Sequence, residues 1–186
     1  MTEEIQKTFD QLQSGNTILY PTDTVWGLGC DATNAEAVAK IYALKKREEN
    51  KALICLVSDI RMLARYIEEI PEVAYELLEA ADRPTTIIYD NPIGIADNLV
   101  ASDKTLAIRI PDDEFCQKLI RKFKRPIVST SANISGQPTP KNYQEISAEI
   151  LKGVDYVVNL QSEKKASKPS TIIQLRSNGE IKIIRA

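Results

Sequence analysis

A helical alternation of apolar and polar positions opens the chain at Thr2 and runs to about Gln13, where Ser14-Gly15-Asn16 stops it. Residues 17–20 read as a short buried strand, and 21–31 as a loop with two glycines in an otherwise apolar setting. Thr33 with Glu36 three residues on reads as a capping box, opening a helix to about Lys46 whose apolar stripe is Val38, Ile41 and Tyr42. Residues 52–57 are almost uniformly apolar, as in a strand covered on both faces. Short helices are expected at 60–66 and 71–81, the second with Pro71 at its start.

Beyond these, 85–89, 106–110, 127–130 and 156–160 read as strands, 112–123 and 143–151 as helices, and 90–102 as irregular. A polar Lys/Ser loop then leads to a hairpin of 171–175 with 181–185, turning at Asn178-Gly179. Strands mixed with helices of about ten residues predict an α/β domain with a mixed, twisted sheet. No repeat or linker divides the chain, so residues 1–186 are read as one domain.

Composition narrows the chemistry. Hydrophobic residues at 43% and charged residues at 27% exclude a disordered chain and a multispanning membrane protein. Lys+Arg 24 against Asp+Glu 26 argues against a general nucleic-acid coat, though not against a local basic patch. The absence of histidine removes the Ser-His-Asp and Cys-His triads, His-ligated zinc and an imidazole base. Cys30, Cys55 and Cys116 are odd in number and widely spaced, as expected of buried free thiols in a cytoplasmic protein. The acidic N-terminus is no signal peptide, and no apolar run is long enough to span a bilayer.

Five segments carry candidate chemistry. In Tyr20-Pro21-Thr22-Asp23-Thr24-Val25-Trp26-Gly27-Leu28-Gly29, two hydroxyls and a carboxylate leave a buried strand, and the glycines allow close backbone approach or positive φ. The alternative is a tight turn with Trp26 as core. In Lys45-Lys46-Arg47 with Lys51, Lys45 continues the inward stripe of its helix while Lys46 steps off it, and Arg47 offers a five-donor fork for phosphate or carboxylate. A trio offsetting a helix dipole is the bland reading.

Arg109 ends an apolar strand and shares a face with Ala107, so it needs an anion or a carboxylate partner. The run Ser129-Thr130-Ser131-Ala132-Asn133-Ile134-Ser135-Gly136 leaves a strand expected to be central, and at that edge an open α/β sheet binds ligands. An ST-turn with a helix cap is the rival. Ser167, Lys168, Pro169, Ser170 and Thr171 lead into a late strand, and the last strand ends at Arg185. Together the segments describe a cationic, hydroxyl-rich cleft that binds phosphates and works by orientation and charge stabilisation.

The run from Tyr20 to Ala32, the Lys45-x-Arg47 pair, Arg109-Ile110-Pro111 and Ser129-Thr-Ser-Ala-Asn-x-Ser-Gly136 resemble the YrdC/Sua5 family in order and over essentially the whole chain. The resemblance implies a twisted mixed sheet flanked by helices around an open cationic cavity. It implies synthesis of threonylcarbamoyl-AMP and diphosphate from L-threonine, bicarbonate or CO₂, and ATP, normally with Mg²⁺. Partner proteins would then transfer the group to adenosine 37 of tRNAs that read codons beginning with A. By the same resemblance Lys45, Arg47, Ser131 and Asn133 hold the ATP phosphates and the carbamate. Thr22 and Thr24 line the threonine and nucleotide pockets, and Ser129, Arg109, Ser167, Ser170 and Arg185 are further cavity residues, while Lys51 of the basic segment is expected to bind the nucleotide on its charge.

The chain departs from the family pattern at Glu48, at Arg83-Pro84 and at Asp112-Asp113. Two alternatives follow. One is a relative of the YciO type; the other is a tRNA- or double-stranded-RNA-binding protein that would use Lys118, Arg121, Lys122, Lys124 and Arg125.

Overall fold

The structure, a computed structural model, describes residues 1–48, 53–160 and 169–186. In chain order the elements are α1 (Thr2–Gln13), β1 (Ile18–Tyr20), β2 (Gly27–Gly29), α2 (Ala35–Lys45), β3 (Ile54–Leu56), α3 (Ile60–Leu63), α4 (Val73–Glu79) and β4 (Thr85–Asp90). These are followed by β5 (Thr105–Arg109), α5 (Glu114–Phe123), β6 (Ile127–Ser131), α6 (Ala148–Gly153), β7 (Tyr156–Val157), β8 (Thr171–Leu175) and β9 (Ile181–Arg185).

The described strands form one sheet in the order β7-β1-β2-β6-β3-β5-β4-β8-β9. It is mixed: β1–β7, β3–β5 and β4–β8 are parallel, and the other neighbours antiparallel. Register fixes what each face carries. One row across the sheet is Val128, Cys55, Ile108 and Ile87, all buried. The adjacent row, one residue along each strand, is Ser129, Ile54, Ala107 and Ile88. Because a one-residue step reverses the face, the first row belongs to the core and the second lines an open cavity.

Helices α1 and α5 pack together, with Phe9 edge-on to Phe123 at 6.3 Å between ring centroids. α5 starts at Asp113, whose carboxylate accepts from the Cys116 N–H at 3.0 Å, and buries Phe115, Cys116, Leu119, Ile120 and Phe123 on one side. At its far end Arg125 lies over the Phe123 ring and pairs with Asp31 at 2.6 Å. Lys122 lies over Phe9, and Lys118 pairs with Glu114. Three cations of the basic cluster are thus engaged within the chain.

Several expected elements differ. Residues 27–29 form β2, where the sequence reads as loop, because three residues of Gly-Leu-Gly carry no strand pattern. Gly29 is required there by close approach: a Cβ would stand 2.5 Å from the Val128 carbonyl oxygen and 2.7 Å from the Tyr20 ring. The cap of α2 is Asn34, which accepts from Glu36 N and Ala37 N, not Thr33. The Thr33 hydroxyl is drawn instead to Asp31 at 2.7 Å. The helix expected over 143–151 is divided: a 3-10 turn at Tyr143–Glu145 is capped by Asn142, and α6 is capped separately by Ser147. The hairpin of β8 and β9 turns as predicted, with Gly179 at φ 85°. Among the described residues no helix is long and apolar enough to cross a membrane.

Candidate functional site

A cavity of about 340 Å³ lies on the second face of the sheet. Its lining brings together Thr24, Arg47, Arg109, Ser129, Ser131, Ser170 and Arg185 from among the sequence-predicted residues. Among the described residues, the charged ones in that lining are the three arginines. Apolar walls come from Val25, Leu53, Ile54, Ile88, Ile172 and Ile184. Lys51 and Ser167 lie outside the described residues.

The loop between β1 and β2 is held by its own hydroxyls. Thr22 Oγ1 donates to the Val25 carbonyl at 2.7 Å and accepts from the Thr24 N–H at 3.1 Å. Thr22 therefore builds the turn that presents Thr24, which lines the cavity while Thr22 does not. Arg109, at the end of β5, donates to Asp23 Oδ1 at 2.5 Å, and both side chains are buried, at 4% and 7% exposure. A second guanidinium nitrogen reaches Thr24 Oγ1 at 3.4 Å, and Asp23 Oδ2 accepts from the Asp112 N–H at 3.2 Å. The carboxylate partner that an inward arginine requires is thus Asp23. The sequence marks both the loop carboxylate and the need of Arg109 for a partner, and the fold joins the two.

The opposite component is the end of α2 with the loop after β6. The Lys45 Nζ donates to the carbonyls of Ser131 at 2.5 Å and Asn133 at 2.7 Å, and the Ser135 N–H donates to the Lys45 carbonyl at 2.8 Å. Lys45 is 1% exposed and is not part of the cavity lining, whereas Arg47 and Ser131 are. Burial, reinforced by the Arg47 charge, lowers the Lys45 pKa to about 8. The Asn133 amide donates to the Gln137 carbonyl at 2.7 Å and the Ile134 carbonyl at 3.0 Å, and its Oδ1 is buried without a partner. Lys46, one step off the stripe, is exposed and pairs with Glu149 at 2.7 Å.

On the far side, Ser170 Oγ shares a hydrogen bond with Thr86 Oγ1 at 2.8 Å, and its carbonyl accepts from Arg185 Nε at 3.0 Å and Nη2 at 2.7 Å. Tyr20, Cys30 and Cys116 are buried, and desolvation raises each pKa well above its ordinary value. None of these groups is poised as a nucleophile. Among the described residues no three His, Cys, Asp or Glu side chains cluster as a metal site. The cavity's chemistry is therefore that of guanidinium and hydroxyl donors.

The profile of the Sua5/YciO/YrdC family, described as telomere recombination, matches residues 10–186. The chain belongs to this family. A putative threonylcarbamoyl-AMP synthase of Methanocaldococcus jannaschii is 37% identical over 186 residues, covering 97% of this chain and 86% of that protein. The crystal structure of P. abyssi Sua5 complexed with L-threonine superposes with a TM-score of 0.82 at 28% identity, covering 92% of this chain. The match takes in 50% of the Sua5 chain, so the protein described here spans about half the length of that relative. E. coli YciO, at 23% identity and a TM-score of 0.85 over 100% of this chain and 89% of its own, shares the fold. Membership carries with it the family's general adenylation chemistry, and the mixed sheet with flanking helices is the family's architecture.

Proposed function

We propose that this chain is an L-threonylcarbamoyladenylate synthase, a nucleotidyltransferase that joins L-threonine, bicarbonate or CO₂, and ATP into threonylcarbamoyl-AMP with release of diphosphate. The observation that carries the reading is the convergence of Arg47, Arg109 and Arg185 with Ser129, Ser131 and Thr24 around one cavity of about 340 Å³. Guanidinium forks and neutral hydroxyls suit a triphosphate, because they stabilise charge on phosphoryl oxygens without adding negative charge of their own. Attack of a carbamate oxygen on the α-phosphorus requires no strong side-chain base, which agrees with a chain that has no histidine. Support for the amino acid comes from the likeness to Sua5 complexed with L-threonine.

In this reading Arg47 and Ser131 meet the phosphates from the cavity wall, and Lys45 is bonded behind them to the carbonyls of Ser131 and Asn133. Thr24, Ser129, Ser170, Arg109 and Arg185 line the nucleotide and threonine subsites, with Thr22 shaping the turn behind Thr24. Mg²⁺ would accompany ATP and offset phosphate charge, bound through the substrate and water, since among the described residues no three acidic or thiol side chains cluster to hold it. The product would pass to proteins that modify adenosine 37 of tRNA.

The test supplies ATP, Mg²⁺ and bicarbonate with one amino acid at a time and measures diphosphate release. Threonine should exceed valine by about 10²-fold or more, since a site that pairs a substrate hydroxyl rejects an analogue lacking it. Equal rates would remove threonine as the substrate, and no release with any amino acid would remove the synthase reading. Ser131→Ala should lower turnover by about 10²-fold while leaving the protein folded, as for loss of one donor to developing charge.

A further inference from the structure

The end of α2 and the loop after β6 are joined in a particular way. Lys45 is 1% exposed, so its ammonium group has no face towards the cavity, although Arg47 two residues on and Ser131 opposite both line it. Its two hydrogen bonds go to the backbone carbonyls of Ser131 and Asn133. Those carbonyls flank Ala132, whose own N–H donates to the Trp26 carbonyl at 3.1 Å. The Ser135 N–H returns to the carbonyl of Lys45 itself at 2.8 Å. Residue 45 thus grips the loop twice, once through Nζ and once through its main chain.

This geometry has a chemical consequence. A carbonyl direction and the adjacent side-chain direction are set by the same backbone dihedrals, so fixing the carbonyls of Ser131 and Asn133 restricts where their side chains can point. A charge held against two neutral acceptors is also a strong tie, since a hydrogen bond from an ionised donor is stronger than one between neutral groups. The desolvation that lowers the Lys45 pKa fits the same picture of an ammonium enclosed by protein.

We propose that Lys45 is a positioning residue that sets Ser131 and Asn133 through their backbone carbonyls and does not touch phosphate. The proposal rests on the reading above for what that loop binds, and on the hydrogen-bond geometry alone for what Lys45 does. Arg47 then supplies the phosphate charge on this side of the cavity.

Hydrogen exchange in the protein without substrates tests the tie independently of any substrate assignment. In Lys45→Met the amides of Ala132 and Ser135 should exchange about 10- to 100-fold faster than in wild type, while amides of β4 and β5 stay unchanged. Unaltered exchange at Ala132 and Ser135 would overturn the proposal. If Lys45→Met does not fold, the wild-type protein decides. Isotopic reductive methylation, mapped by mass spectrometry with and without ATP, should leave Lys45 unlabelled in both cases while Lys46 is labelled. A Lys45 that is labelled without ATP and protected by it would be a phosphate ligand, and the inference would fall. ATP that leaves hydrogen exchange at the amides of Arg47 and Ser131 unaltered and gives no diphosphate release would count against the proposed function alone, with the exchange comparison still deciding the role of Lys45.

Discussion

Lys45 and Arg109 are both buried cations at the ends of elements beside one cavity, and the fold satisfies them in different ways. Arg109 meets a carboxylate, Asp23, in an ion pair closed off from solvent. Lys45 meets two neutral carbonyls. The difference follows from the side chains. A guanidinium cannot give up its proton in a protein, so burying it calls for a counter-charge; a lysine can, and burial lowers its pKa to about 8. The loop at residues 21–25 is therefore fastened by a charge pair, and the loop at 131–133 by a single buried charge held against neutral acceptors.

The largest test breaks the Arg109 side. Asp23→Ala leaves a guanidinium buried without its carboxylate and should cost about 3–5 kcal/mol, read from urea denaturation. Replacing both partners, Asp23→Leu with Arg109→Met, should recover most of that loss, because two apolar groups leave no uncompensated charge. Lys45→Met should cost less, about 1–2 kcal/mol, since the stranded carbonyls are neutral and a desolvated charge is removed with the side chain. If Asp23→Ala proves as mild as Lys45→Met, the contrast between the two sites is wrong.

What the sequence makes legible follows the same division. The amphipathic α1 and the Asn178-Gly179 hairpin are local patterns, and both stand as read. The inward direction of Arg109 follows from strand alternation, and so does its need for a partner. The partner itself is 86 residues away in sequence and only the fold brings it near. Lys45 is harder still: the stripe of α2 turns it inward, but its acceptors are main-chain oxygens, which no residue type announces. Thr33 shows the converse error. Its hydroxyl fits a cap by spacing, and the nearby Asp31 carboxylate outcompetes the helix for it, leaving Asn34 as the cap.

The second test uses pH to probe the buried lysine. A lysine whose folded pKa lies near 8, below its ordinary 10.5, carries its full burial cost below pH 8, where both states are charged. Between 8 and 10.5 the unfolded chain binds more protons than the folded one, so stability rises with pH across that window. Wild type should therefore gain about 2 kcal/mol relative to Lys45→Met between pH 7.5 and 10. Tyrosines and cysteines titrate in both proteins and cancel in the comparison. A flat difference for Lys45→Met would mean that the folded protein keeps Lys45 charged throughout, with the two carbonyls outweighing desolvation.

The smallest effect is expected one residue from Lys45, where the same charge sits in water. Lys46 has a side chain 63% exposed and pairs with Glu149, itself 52% exposed, at 2.7 Å. Such a pair is worth about 0–1 kcal/mol, because water screens it and two long side chains lose freedom to form it. Its backbone matters more. Lys46 ends α2 in the left-handed region at φ 50° and ψ 44°, a conformation that costs a side-chain-bearing residue about 1–2 kcal/mol. Lys46→Ala removes the ion pair and keeps that strain, so it should lower stability by about 0.5 kcal/mol. Lys46→Gly removes both, and the added freedom of glycine in the unfolded chain offsets part of the relief, about 0.5–1 kcal/mol. The glycine variant should therefore be more stable than the alanine variant by about 0.5–1 kcal/mol in urea melts, with diphosphate release unchanged in both. An alanine variant as stable as the glycine one would show that the left-handed backbone at residue 46 carries no net cost.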